Sequence, residues 1–265
     1  MPAEIPASVL ADLRKYDTPT VCNVLELFEQ RSRIVGYTNA RIQACYPALP
    51  PMVGFATTAT FRAAAPPRVA RPADAESTIP PGSGRNKGDT YMGLGAQVER
   101  IAALSGPKVV VFQDLDDPPV AATFGEIMCT TYQAFGCVGL VTSGAGRDLD
   151  QVEPLKFPCF TGGTMPSHGY TQIVELEVPV RVGGVWIAPG DLLHGDRNGI
   201  TTIPHELAAL TAEGCAGFMD AESVVLNYLR QGNATAAGFV TARDECKRRM
   251  NALGERLKSR AASGR

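Results

Sequence analysis

The sequence predicts an α/β fold with a mixed sheet and a helical C-terminal tail, and three observations carry that reading. Two apolar runs, KVVVFQDL at 108–115 and VGLVT at 138–142, enclose a helix-length segment at 126–135, the pattern of a strand-helix-strand unit with parallel strands. Beyond Phe157 the chain turns β-rich, with Gly183-Gly184 marking a hairpin between TQIVELEVPV and VWIA. Helical periodicity returns at about 205–230 and again at 241–260.

Taken in order, residues 6–15 read as a short helix. Thr18-Pro19 then starts a second one, with threonine at the cap and proline at the first helical position. Val21, Val24, Leu25 and Phe28 form its apolar stripe. Residues 52–61, β-prone around Gly54, predict a strand. The stretch 62–90 is rich in Pro, Ala, Gly and Arg and poor in large apolar residues, which predicts a long surface loop. A helix follows at 92–104, then the buried strand at 108–115. The helix at 126–135 is closed by Gly136, suited to a left-handed cap. Turns at Pro189-Gly190-Asp191 and at Asp196-Arg197-Asn198-Gly199 separate short strands. There are no internal repeats, so 1–265 reads as one domain with a core at about 16–222 and a helical tail at 236–265.

Bulk properties narrow the function classes. At 265 residues, folding hides roughly three quarters of the unfolded surface without staples. The chain is 45% apolar and 20% charged with a net charge of −2, so no overall field favours nucleic acid. Seven scattered cysteines without a CxxC predict buried reduced thiols rather than a disulfide frame or zinc site. No segment has the length of a membrane span and the N-terminus lacks a signal-peptide core, so a soluble cytoplasmic protein is expected.

The chemistry concentrates in FGEIMCTTYQAFGCVGLVTSGAGRD, 124–148, where Gly125-Glu126 and Arg147-Asp148 stand twenty residues apart at the two ends of the strand-helix unit. A helix start offers unpaired amides and partial positive charge, a seat for a carboxylate at Gly125-Glu126-Ile127-Met128. Arg147 and Asp148, just past a strand end, are expected to reach the amides of residues 127 and 128. An arginine grips a carboxylate or enolate with two prongs, and two acids suit a hard Mg2+ or Mn2+. The plain alternative stays open: a glutamate in a first helical turn is favoured by the helix dipole, and Arg-Asp in a loop forms a surface ion pair. Elsewhere His168, His194 and His205 do not cluster, Lys108 and Lys156 read as solvated strand-edge residues, and Asp114, Asp116 and Asp117 read as turn chemistry. Nucleotide-binding glycine patterns are absent.

These same residues, with PGDLLHGDRNGITTIP, resemble the family that joins the regulator of ribonuclease activity A to the 4-hydroxy-4-methyl-2-oxoglutarate aldolases, from about Tyr16 to Glu222. The resemblance implies a swivelling β/β/α fold assembled as a homotrimer or hexamer, with sites at subunit boundaries. An acid, twenty residues, then Arg-Asp marks the class II pyruvate aldolases. Carried onto this chain, Asp148 is the direct metal ligand and Arg147 holds the pyruvyl oxygens. Glu126 holds metal-bound water where the aldolases usually have Asp, and the Ile127 and Met128 amides take the carboxylate. Glu222, matched by pattern alone, stands for a glutamate contributed by a neighbouring subunit. The chain departs from the pattern at Glu126, at Asn23 where many members have Asp, and in the 62–90 insertion.

The expectation is therefore a metal-dependent lyase on a small 2-oxo acid, performing retro-aldol cleavage or oxaloacetate decarboxylation. The alternative is a non-catalytic trimeric binding module like the ribonuclease regulators. Neither nucleic acid nor membrane is expected as a partner.

Overall fold

A carboxylate and a proline set the first helix pair. In the computed structural model, which describes residues 5–30, 32–64 and 93–263, α1 (Ala7–Leu13) is followed by α2 (Thr18–Leu27). The α2 cap is Asp17, whose Oδ1 accepts from the Thr20 amide at 2.9 Å. This corrects the expected Thr18 cap: Thr18 is already helical, and its hydroxyl lies 3.0 Å from His194 Nδ1 instead.

The chain continues through β1 (Gln43–Ala44), β2 (Met52–Arg62), α3 (Leu94–Ala103), β3 (Lys108–Asp114), β4 (Ala122–Phe124) and α4 (Glu126–Ala134). Next come β5 (Cys137–Thr142), β6 (Ala145–Gly146), α5 (Leu149–Val152), β7 (Cys159–Thr161), β8 (Gly163–Thr164) and β9 (Gln172–Leu176). The last elements are β10 (Val180–Val182), β11 (Val185–Ile187), β12 (Leu192–Asp196), β13 (Gly199–Ile203), α6 (Ala208–Arg230) and α7 (Ala236–Ser263). Apart from its first three residues, the expected 62–90 loop lies outside the described residues, and Arg62 itself closes β2.

The main sheet is mixed, as expected, in the order β1-β7-β5-β3-β2-β12-β13, with β9 also pairing β2. Strands β2, β3, β5 and β7 run parallel, while β12, β13 and β9 are antiparallel additions. Both faces are covered, which explains why β3 reads as an unbroken apolar run. Its alternate residues divide between two cores: Val110 and Phe112 join Phe61, Tyr132 and Leu140, whereas Val109 and Val111 join Met52, Phe160 and Ile187. Each such side chain contributes about 1.5–3 kcal/mol on burial. A third core packs α1, α2, α6 and α7 over the β12-β13 end. The C-terminal helices are thus part of the packed body, with Leu253 and Leu257 of α7 buried against it.

Two further expectations are corrected. TQIVELEVPV is not one strand: Glu177 takes a left-handed φ of 53° and ends β9, which pairs with β2. The hairpin is β10 with β11, turning at Gly183 and Gly184, both at positive φ. Lys108 is not a solvated edge residue but 8% exposed, its Nζ donating to Phe135 O at 3.2 Å and Ile101 O at 3.4 Å. A cation at two helix C-terminal ends is favoured by both dipoles. No disulfide joins the cysteines, and burial pushes the Cys137 and Cys215 thiols up to about 12, where they are chemically inert.

His194, fully buried in β12, joins the helix pair to the sheet. Because the Leu13 carbonyl can only accept, Nε2–H donates to it at 3.1 Å, leaving Nδ1 to accept from the Thr18 hydroxyl. Burial lowers its pKa below the ordinary 6.5, partly offset by the Leu13 carbonyl and the Asp196 charge. The unfolded chain therefore binds this proton more readily, and stability is lost as pH falls through 6.5. Urea titrations between pH 5 and 8 should show that slope. His194→Ala should flatten it and cost about 1–3 kcal/mol at pH 8.

Candidate functional site

Each of three parallel strands passes through the end of the main sheet and continues into a second, smaller one. β3 is followed by β4, β5 by β6 and β7 by β8, and these short strands form a parallel sheet in the order β4-β6-β8. Phe124 lies opposite Gly146, and Gly146 opposite Thr164. The strand ends therefore bring three segments to one edge: Gly125-Glu126, Arg147-Asp148 and Met165-Pro166. Two of these are the segments singled out in the sequence.

The approach between them is close. A Cβ on Gly125 would lie 2.5 Å from Asp148 Oδ2 and 3.1 Å from Arg147 Nε, and one on Gly146 would lie 2.3 Å from Phe124 Cζ. Gly125 has an extended backbone (φ −154°) open to any residue, so its need for glycine is the space occupied by the Arg-Asp pair. Asp148 Oδ2 accepts from the Glu126 amide at 3.2 Å, and the Arg147 amide donates to Phe124 O at 3.1 Å. Asp148 itself is held at φ +55°, an uncommon conformation for a residue other than glycine and one that asparagine and aspartate tolerate best. Arg147 Nε stands 3.7 Å from Asp148 Oδ2, both side chains about one third exposed. That is a loose ion pair.

Gly125 has no side chain to cap α4, whose first intrahelical bond is Cys129 N–H to Gly125 O at 3.1 Å. Asp148 reaches the first amide, that of Glu126, rather than the expected amides of Ile127 and Met128, which follow it in the first turn. The edge is open: Glu126 is exposed and Ile127 is 76% exposed, while Met128 packs partly against the core. Such an arrangement can seat a carboxylate on the amides with the guanidinium alongside. Among the described residues no group of three His, Cys, Asp or Glu side chains comes together to hold a metal. Asp148 and Glu126 supply two hard oxygen donors, the donor set of a Mg2+ or Mn2+ ion that keeps several waters, so the residues fit such an ion.

Among the described residues no interaction joins Glu222 to this edge. It sits in α6, facing Asp17 and Cys246, and burial followed by the Asp17 charge raises its pKa. The other candidates take structural roles. His168 Nδ1 bonds to Gly169 O at 2.8 Å and His205 Nε2 to Gly190 O at 2.9 Å. The expected turn bond is Asp116 N–H to Asp114 Oδ1 at 3.0 Å, but Asp116 Oδ2 also accepts from the Ala63 and Ala64 amides, a long-range tie to the end of β2. Asp114 is buried, and desolvation raises its pKa to about 6. A cavity of about 670 Å³, lined by Leu10, Phe55, Pro107 and His205, contains neither Arg147 nor Asp148 and lies at the start of β3.

Residues the sequence did not signal are Thr164 on β8, Met165 just after it, whose amide donates to Gly146 O at 3.0 Å, and Tyr46. The Tyr46 hydroxyl donates to Leu149 O at 2.8 Å, bracing the backbone next to Asp148 from a loop 103 residues away. A two-residue strand has no periodicity to read, and so distant a brace has no local signal.

With this geometry established, the comparisons with known proteins can be stated. The family pattern described as RraA-like, Aldolase/RraA, matches residues 18–202. A protein of Halalkalibacterium halodurans with the provisional name 4-hydroxy-4-methyl-2-oxoglutarate aldolase is 36% identical over 101 residues, 38% of this chain and 48% of that protein. The chain spans about half the length of the leading curated relatives it matches. Among solved structures, an uncharacterized protein of Pseudomonas syringae pv. tomato has a TM-score of 0.66 at 23% identity, covering 92% of this chain and 96% of its own. Streptomyces coelicolor RraAS2, described as an unusual member of the RNase ES inhibitor RraA family, has a TM-score of 0.60 at 22% identity, covering 84% and 98%. These likenesses establish the fold.

The close crossing can be tested directly. Gly125→Ala should displace the Arg147–Asp148 pair and cost about 1–3 kcal/mol in urea unfolding. Gly163→Ala, where an added Cβ meets nothing within 4 Å, should cost far less. Equal effects would remove the steric account of Gly125.

Proposed function

The chain belongs to the RraA-like family, and from that premise we propose that it is a divalent-metal-dependent lyase acting on a small 2-oxo acid. The observation that carries this reading is the Arg147–Asp148 pair set against the first turn of α4 across Gly125, with Asp148 on the Glu126 amide. The aldolase name of the Halalkalibacterium halodurans relative supports the reaction class.

In this reading the substrate carboxylate lies on the Ile127 and Met128 amides, and Arg147 holds the 2-oxo oxygen with its planar fork. Asp148 and Glu126 would hold the divalent ion, which supplies Lewis-acid stabilisation of the enolate. For a 4-hydroxy-2-oxo acid, a water oriented by Glu126 accepts the proton of the 4-hydroxyl. The C3–C4 bond then breaks, its electron pair passes into the pyruvate enolate, and C3 takes a proton. For oxaloacetate the same enolate forms as the C3–carboxylate bond breaks and CO2 leaves. Both reactions place new negative charge on the oxygen that Arg147 faces, so one site serves both. Glu222 acts across a subunit boundary of a trimer or a dimer of trimers, and the open, apolar Ile127 edge suits such a boundary.

Steady-state pyruvate release from oxaloacetate, with Mg2+, Mn2+ or EDTA, tests the reading. Asp148→Asn should abolish metal-dependent turnover while circular dichroism stays unchanged, because asparagine tolerates the φ of +55°. Arg147→Lys keeps the charge but loses the fork, and kcat should fall roughly a hundredfold, about 3 kcal/mol. Glu126→Asp should be tolerated best. Turnover indifferent to EDTA, or unchanged in Asp148→Asn, would instead leave Arg147–Asp148 an ordinary loop ion pair, and wild-type protein without turnover would favour a non-catalytic binding module.

A further inference from the structure

Arg147 is three residues beyond Gly144, and Gly144 is gripped on every side by buried hydroxyls. Its amide donates to Thr142 Oγ1 at 2.9 Å, and its carbonyl accepts from Thr161 Oγ1 at 2.7 Å and from the Gly162 amide at 2.9 Å. The Thr142 hydroxyl in turn donates to Thr123 Oγ1 at 3.1 Å. A Cβ on Gly144 would lie 2.3 Å from Thr123 Oγ1 and 2.5 Å from Asp114 Oδ2, so the peptide has no room to shift. The three threonines are 1%, 0% and 6% exposed at positions 123, 142 and 161.

Their placement is what gives the cluster meaning. Thr123 lies in β4, Thr142 ends β5 and Thr161 ends β7, so one hydroxyl comes from each of the three chain passes that build the candidate edge. With its proton on Gly144 O, Thr161 Oγ1 accepts from the Gly163 amide at 3.3 Å, extending the grip to β8. A hydroxyl is needed at these points because backbone groups that step from one sheet to the next leave the ladder of the first before joining that of the second. Valine has the same shape and would fill the space, but it would leave the Gly144 amide buried and unpaired.

We infer that Thr142, with Thr123 and Thr161, positions the Arg147–Asp148 pair by fixing the Gly144 peptide at the junction of the two sheets. The inference rests on the reading of that pair as the functional centre. These are positioning residues: they touch no reacting atom, and they act through the backbone from Gly144 to Asp148.

The test compares Thr142→Val, Thr142→Ser and, as a control, Thr58→Val, which removes a buried hydroxyl bonded to Val178 O away from the junction. Amide hydrogen exchange, followed by mass spectrometry, is measured on peptides spanning 143–149. Thr142→Val should speed exchange there about tenfold, with Thr142→Ser close to wild type and Thr58→Val without effect on these peptides. Pyruvate release should follow the same order, lost in the valine variant and rescued by serine. Unchanged exchange in Thr142→Val, or equal acceleration in Thr58→Val, overturns the inference. Wild-type protein that releases no pyruvate defeats the lyase reading alone, and exchange then still decides whether the hydroxyls position the segment.

Discussion

The crossing of β4 and β6 at glycine-only distance is the constraint on which the candidate site depends. It brings a carboxylate from one strand end onto a backbone amide at the other, at 3.2 Å, although the two residues stand twenty-two apart in the chain. Everything around this bond serves to keep the strands close. Phe124 packs its ring where Gly146 has no side chain, and Asp148 accepts an unusual backbone angle to aim its oxygen. The cost of that angle, of order 1–3 kcal/mol, is tolerated because neighbouring backbone bonds over-determine it.

His194 and the threonine hydroxyls share one logic: they bond groups where the chain leaves regular structure. His194 holds the turn between α1 and α2, and the threonine hydroxyls hold the step between two sheets. Each replaces bonds that a helix or a ladder would otherwise supply. Asp114 differs: its buried Oδ2 has no hydrogen-bond partner among the described residues, and desolvation raises its pKa. It sits against Gly144, at the most crowded point of the junction.

Much of this was legible in the sequence because it depends on periodicity and on glycine. The strand-helix-strand unit, the Gly183-Gly184 turn and the long terminal helices all carry local signals several residues long, and each appears in the fold. What escaped lacks such a signal. β4, β6 and β8 are two or three residues each, too short for alternation, so the second sheet that assembles the edge could not be read. Lys108 looked like an edge charge because nothing local reveals two helix ends converging on it. TQIVELEVPV kept an apolar rhythm through the break at Glu177, which only the backbone angle discloses. Gly125 and the Arg-Asp pair were visible as residue types, but the reason for the glycine is a contact across the fold.

The two ends of α4 are held by opposite charges. At its start the Asp148 carboxylate takes an amide proton, and at its finish the buried Lys108 ammonium takes the Phe135 carbonyl. Each charge has the sign that the nearby helix pole favours. A nine-residue rod fixed at both poles behaves as a strut between two mountings, with little freedom to slide or tilt. An anion arriving at its first amides therefore meets a surface that has already paid its ordering entropy. In the proposed reading, adaptation to a larger or smaller guest falls to the long, one-third-exposed arm of Arg147, a clamp above a rigid floor.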